Sequence, residues 1–119
     1  MTGLDASAMK PIADFDNFAR LDIRVGRIVA VEDAATRKPT YRLHIDFGPD
    51  IGVKISCGAF RNYAREALVG QLVVGVLNFG AKKMGPETSE ALVLGVPDED
   101  GKTIFLTPHS TVQAGVSVF

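Results

Sequence analysis

The chain has 119 residues, 46% of them hydrophobic and 23% charged, with a formal net charge of -1. This size and balance predict one globular domain with its own core, and the charge argues against an indiscriminate polyanion binder. Cys57 is the single cysteine, which excludes an intrachain disulfide, and no apolar run approaches the ~20 residues of a membrane span.

Residues 1–13 are expected to form a flexible tail and 14–119 a single domain. The start of the chain carries acidic residues in place of an apolar signal core, so a cytoplasmic protein without membrane insertion is expected. Asp14 or Asp16 caps a short helix bearing Phe15, Phe18, Ala19 and Leu21, its phenylalanines on one side. Strand signals follow. Over 23–31, Ile23, Val25, Val29 and Val31 share a face, and Gly26 suggests a bulge or bend. Residues 41–47 alternate, with Tyr41, Leu43, Ile45 and Phe47 inward. Residues 51–57 repeat the pattern, with Ile51, Val53, Ile55 and Cys57 inward and Lys54 and Ser56 outward. Gly48-Pro49-Asp50 reads as the turn between them. The simplest hairpin register sets His44 opposite Lys54 and Arg42 opposite Ser56, giving a polar, largely basic outer face.

The spacing of Phe60, Tyr63, Ala64 and Ala67 predicts a helix over 60–68, closed by Gly70. Residues 72–79 are apolar on both faces, as in a central strand. A Gly- and Lys-containing loop spans 80–88. Strands follow at 91–96 and 102–106 around an acidic turn at 98–101, and the tail over 108–119 is apolar enough to dock. The order of three strands, a helix and two further strands is that of an all-β OB-fold barrel with short helices and terminal extensions.

Charge is unevenly placed. Residues 24–83 hold ten basic and five acidic residues, a balance of +5, whereas the remainder holds three basic and nine acidic, a balance of -6. Catalysis finds no support. His44 and His109 share no metal-ligand spacing with each other or with Cys57, the acidic run at 98–100 is a solvated turn, and no phosphate-cradling Gly-rich loop precedes a Lys-Ser or Lys-Thr pair. No cofactor, metal site or catalytic residue is expected. The segment 78–84 carries the chemistry of interest: Asn78 ends a strand, and the following loop presents Lys82, Lys83 and Met84. Lysines neutralise phosphates, an amide bonds a base edge or holds the loop, and a methionine packs on an unstacked base or a partner's apolar side chain. A solvated loop with two lysines is the plainer alternative.

Residues 21–28 (LDIRVGRI) resemble the opening motif of the tRNA-binding domain family. Residues 55–58 (ISCG), 68–71 (LVGQ), 78–84 and 89–94 (SEALVL) are similar to its later blocks in the same order. The resemblance covers roughly 15–119. It is strongest to the stand-alone CsaA-type branch, which implies a homodimeric OB-fold protein with a chaperone role in protein export. It further implies a binding surface for tRNA or other structured RNA made of Arg24, Arg42, Lys54, Ser56, Asn78, Lys82, Lys83, Met84, Ser89 and Glu90. In that surface Arg24 and the lysines bind phosphate, Ser56, Asn78 and Ser89 supply hydrogen bonds, and Glu90 orients a lysine or accepts from a base. A dimer contact through the terminal extensions would use Phe15, Phe18, Val112, Val116, Val118 and Phe119. Gly85 and Pro86 depart from synthetase-type members, which carry a further basic residue and a glycine there, so one phosphate contact fewer is implied. The alternative function is a chaperone for unfolded or export-bound polypeptides, working with the export machinery and binding little or no RNA.

Overall fold

The computed structural model describes residues 8–119; the first seven positions of the expected tail lie outside the described residues. In chain order the elements are α1 (Phe15–Ala19), β1 (Ile23–Asp33), β2 (Tyr41–Asp46), β3 (Val53–Gly58), α2 (Arg65–Leu68), β4 (Leu72–Val76), β5 (Lys82–Met84), β6 (Glu87–Ser89), β7 (Leu92–Val93), β8 (Gly95–Pro97) and β9 (Thr103–Phe105).

The clean alternation of β2 directs Tyr41, Leu43 and Ile45 into one core, and Phe47 follows them beyond the strand end. All pairings in the main sheet are antiparallel, in the order β3-β2-β1-β4-β7. Its two ends then meet. Glu90 and Ala91 donate their backbone N–H groups to the Ile55 carbonyl at 2.7 and 3.2 Å. Side chains complete this seam: Ile55 N–H donates to Glu90 Oε1 at 2.9 Å, and Cys57 N–H to Ser89 Oγ at 3.1 Å. The sheet is a nearly closed five-stranded barrel of the OB type, with α2 after the third strand as the sequence order predicts.

Strand β1 places Gly26 and Ile28 on the core side, so Val29 points away from it by plain alternation and is 46% exposed, against the inward face expected of it. The register against β2 then jumps between Ile28 and Ala30, and the extra residue flips the parity so that Val31 faces Leu43. Gly26 has a different duty from the expected bend: a Cβ there would lie 2.6 Å from Ile45 Cγ2 and 2.7 Å from the Phe47 ring. Beyond the reach of β2, the first half of β1 is paired by the C-terminal tail. Gly115 N–H donates to the Val25 carbonyl, Val25 N–H to Val116, and Val118 N–H to Ile23, at 2.7, 3.0 and 2.8 Å.

Strand β3 sits one residue away from the expected register. Arg42 faces Cys57, His44 faces Ile55, and Leu43 faces Ser56. Ser56 is therefore on the core side at 2% exposure, and Val53 points outward at 53%. Two left-handed glycines, Gly48 (φ 92°) and Gly52 (φ 83°), shape the connection that sets this register.

The helix expected over 60–68 is reduced to the four residues of α2. Ala64 stands extended at its N-cap and has no side-chain acceptor to begin the helix earlier. Phe60 is buried instead within a turn in which Tyr63 N–H donates to its carbonyl at 2.9 Å. The central strand stops at Val76, short of the expected residue 79. Leu77 N–H donates to the Asp22 carbonyl (2.8 Å), and the amide of Asn78 accepts from Asp22 N–H and donates to the Arg20 carbonyl, both at 2.8 Å. The chain is led off the barrel there, and Phe79 is 62% exposed. The expected loop at 80–88 is the β5–β6 hairpin, turning at Gly85 and Pro86. The strand expected at 91–96 divides into β7 and β8 at Leu94, whose N–H donates to Val74 and whose carbonyl accepts from Leu106.

Candidate nucleic-acid interface

The outward face of β2 and β3 carries Arg42, His44, Ile55 and Cys57. It is flanked by the β1–β2 loop on one side and the β5–β6 hairpin on the other. One cavity of about 340 Å³ lies under the hairpin, lined chiefly by Phe79, Lys82, Met84, Glu90 and Leu92. A second, of about 580 Å³, lies under the β1–β2 loop, lined by Thr36, Arg37, Lys38, Thr40, Ala59 and Gly85 among others. Cys57 and Met84 line both, so the two form one groove across the barrel.

Glu87 ties the two walls together. It is buried, with Oε2 accepting from Ala35 N–H of the β1–β2 loop at 2.8 Å and Oε1 lying 3.4 Å from Arg42 Nε. Arg42 also reaches Glu32 at 3.7 Å and donates to the Asp33 carbonyl at 3.4 Å. The loop has internal ties of its own. Thr36 Oγ1 donates to the Lys38 carbonyl at 2.6 Å and therefore accepts from Thr40 Oγ1. His44 Nε2 lies 2.6 Å from Glu32 Oε1; this bond, followed by the Arg42 charge, holds the Glu32 carboxyl below the usual carboxylate range. Burial, then the Glu87 carboxylate, pushes the Cys57 thiol up. The shift is away from the thiolate form that a nucleophilic cysteine needs.

Four of the residues expected at a binding surface meet in the hairpin cavity: Lys82, Met84, Ser89 and Glu90. Ser89 Oγ and Glu90 Oε1 are engaged by the β3 backbone. Lys83 is exposed on the same hairpin but does not line the cavity. The others lie elsewhere. Arg24 donates to Asp22 Oδ1 at 2.7 Å and to the Gly115 carbonyl at 3.2 Å, which bolts the tail to β1. Lys54 lies opposite Ile45, Ser56 is inside the barrel, and Asn78 clamps the chain entering β1. Arg42 stands on the groove face, held by its carboxylates.

Sequence reasoning missed Arg37, Lys38, Phe79, Leu92 and Cys57. The available signal was the run Thr36-Arg37-Lys38-Pro39-Thr40, a basic stretch with hydroxyls between two strands, at the loop by which OB barrels hold oligonucleotides. Among the described residues, Arg37, Lys38, Lys82 and Lys83 form no ion pair, whereas Arg24, Arg42, Arg61 and Arg65 all do. Arg20, Arg27, Lys54 and Lys102 are unpaired among these residues as well, but they are dispersed, whereas Arg37, Lys38, Lys82 and Lys83 gather on the loop and hairpin beside the groove.

Barrel, loop and hairpin together define a binding domain of the OB type. The family model described as "Putative tRNA binding domain" matches residues 23–117, and the chain belongs to that family. Along nearly its whole length it is similar to the CsaA chaperones. The protein from Bacillus anthracis superposes with a TM-score of 0.85 at 35% identity, covering 92% of this chain and 100% of that one. The protein from Picrophilus torridus superposes at 0.86 with 36% identity, covering 91% and 100%. The methionine–tRNA ligase of Archaeoglobus fulgidus is 38% identical over 104 residues, 87% of this chain and 15% of the ligase. The chain spans about a sixth of the length of the curated ligases it matches.

Proposed function

We propose that the chain is a non-catalytic protein that binds tRNA or other structured RNA in the groove between the β1–β2 loop and the β5–β6 hairpin. The observation that carries this reading is the placement of four cations that have no ion-pair partner among the described residues, Arg37, Lys38, Lys82 and Lys83, on the loop and hairpin that flank the groove. Cations already held by carboxylates gain little from a phosphate; free ones gain fully and release counterions. Titration of total tRNA at low and near-physiological salt tests the reading, with a Lys82→Ala/Lys83→Ala variant alongside. Affinity should fall with salt, and the variant should bind more weakly, with a salt slope shallower by about one to two. No binding at low salt would remove the RNA reading.

A second reading, a chaperone for export-bound polypeptides in the cytoplasm, draws on the similarity to CsaA chaperones and on the apolar residues in the groove. Protection of an unfolded polypeptide from aggregation, without RNA binding, would favour it. In either reading the chain works as a homodimer. Phe15, Phe18, Val116, Val118 and Phe119 are exposed near the tail and N-terminal helix, while Val112 is half-buried. Light scattering after gel filtration should give twice the chain mass, reduced to one by Phe15→Ser/Phe119→Ser.

A further inference from the structure

We infer that the groove takes an unpaired nucleotide, with the base in the hairpin cavity against Phe79 and its flanking phosphates toward Arg37 and Lys38. This rests on the RNA reading above and specifies which form of RNA it concerns. The two halves of the groove differ in chemistry. The hairpin half is walled by Phe79 and Leu92, both more than half exposed, and by Met84, with Lys82 and Glu90 as its charged members. The loop half carries two free cations among threonine hydroxyls. An aromatic ring without polar atoms offers nothing to a phosphate and a stacking surface to a base.

A duplex satisfies only one half. Its bases are stacked on one another and its accessible surface is phosphate and sugar, so Phe79 and Leu92 would stay in water. An unpaired strand offers a free π-face for Phe79 and a backbone for the cations within one nucleotide unit. A polypeptide segment would fill the apolar half but leaves the cations unmatched unless it is also acidic, so charge complementarity favours the nucleotide. The volume of the hairpin half, about 340 Å³, falls at the lower end of the range for small-ligand pockets.

The same geometry argues against reading of base identity. Of the polar side chains in the cavity wall, Ser89 Oγ accepts from Cys57 N–H and donates to the Ala91 carbonyl at 3.2 Å, Glu90 Oε1 accepts from Ile55 N–H, and Lys82 is a flexible point charge with no fixed donor geometry. Selection is therefore for an unstacked base of any kind, as found in loops and ends of a folded RNA.

The test is a fluorescence-anisotropy titration of the full chain with labelled oligouridine and oligoadenosine and with an RNA duplex of equal length. Both single strands should bind within a few-fold of each other and roughly tenfold or more tighter than the duplex. Phe79→Ala should lose about tenfold on the single strands only, Phe79→Trp should retain the affinity, and Phe79→Leu should fall like Phe79→Ala. Arg37→Ala/Lys38→Ala should weaken all RNAs. Phe79 is a surface residue, so unchanged thermal melting of its variants separates loss of stacking from loss of fold. Duplex binding as tight as single-strand binding, or full affinity in Phe79→Leu, overturns the inference while leaving the tRNA reading intact. Salt-independent competition by an apolar peptide that Phe79→Leu still binds also overturns it. Failure of every RNA to bind sinks both.

Discussion

At the level of single residues, the barrel interior is defined by a close approach that only glycine permits. Gly26 on β1 lies beneath Ile45 and the Phe47 ring, where an added Cβ would sit 2.6–2.8 Å from three side-chain carbons. The surroundings belong to the buried cluster and have little room to move. Gly26→Ala should therefore destabilise the chain by about 2 kcal/mol, a typical cost of overpacking a core, despite the substitution's ordinary gain in backbone entropy. Urea denaturation gives the value; an unchanged midpoint would mean that Phe47 swings aside without cost. The glycine was visible in the sequence, but its purpose was not, because the side chains that need it, Ile45 and Phe47, come from β2 and the residue just beyond its end.

At the level of elements, β2 was legible and β3 was not, and the contrast has a physical cause. One face of β2 is core and the other polar, so alternation alone identifies the inside. On β3 the alternation is equally clean, yet its apolar set, Val53, Ile55 and Cys57, lies on the outer face, where Cys57 lines the groove, and Ser56 faces inward. Equating apolar with inward fails where a binding surface is itself apolar. The β5–β6 hairpin was hidden differently: it is anchored by Glu87, whose partners are the β1–β2 loop and Arg42. Of the surface expected from family resemblance, the hairpin part meets at a cavity, whereas Arg24 and Asn78 hold backbone. Glu87→Gln keeps the shape and removes the charge opposite Arg42. It should cost about 2 kcal/mol and weaken RNA binding by loosening both walls. A thermal melt with a tRNA titration checks this; lost stability with intact affinity would show that the walls hold without the tie.

At the level of the whole molecule, the barrel has an incomplete neighbour relation that the tail repairs. Strand β2 covers β1 only from Arg27 onward, and residues 115–118 take over along Ile23 and Val25. Arg24 reinforces the junction through the Gly115 carbonyl. Deleting residues 112–119 should leave three backbone hydrogen bonds unmade and lower stability by about 3 kcal/mol. It should also expose a sheet edge prone to pairing with another chain. Urea titration and turbidity on warming measure the two effects, and a truncated chain as stable and clear as the full one would contradict the tail's place in the sheet. The uneven charge of the sequence finds its place at this scale too: free cations flank the groove, while the acidic run at 98–100 lies at the β8–β9 turn.

The seam of the barrel is made partly of side chains, and this bears on how such a protein can change over evolutionary time. Ser89 and Glu90 stand in the wall of the groove while closing the sheet against Ile55 and Cys57. A substitution that altered ligand preference at either position would weaken the seam in the same step, leaving it to the backbone bonds at Ile55. Phe79, Arg37, Lys38 and Lys82 form no side-chain hydrogen bond or ion pair among the described residues and are free to vary. Divergence in what related chains recognise should therefore accumulate at those four positions, with the Ser-Glu pair held nearly constant as a requirement of folding.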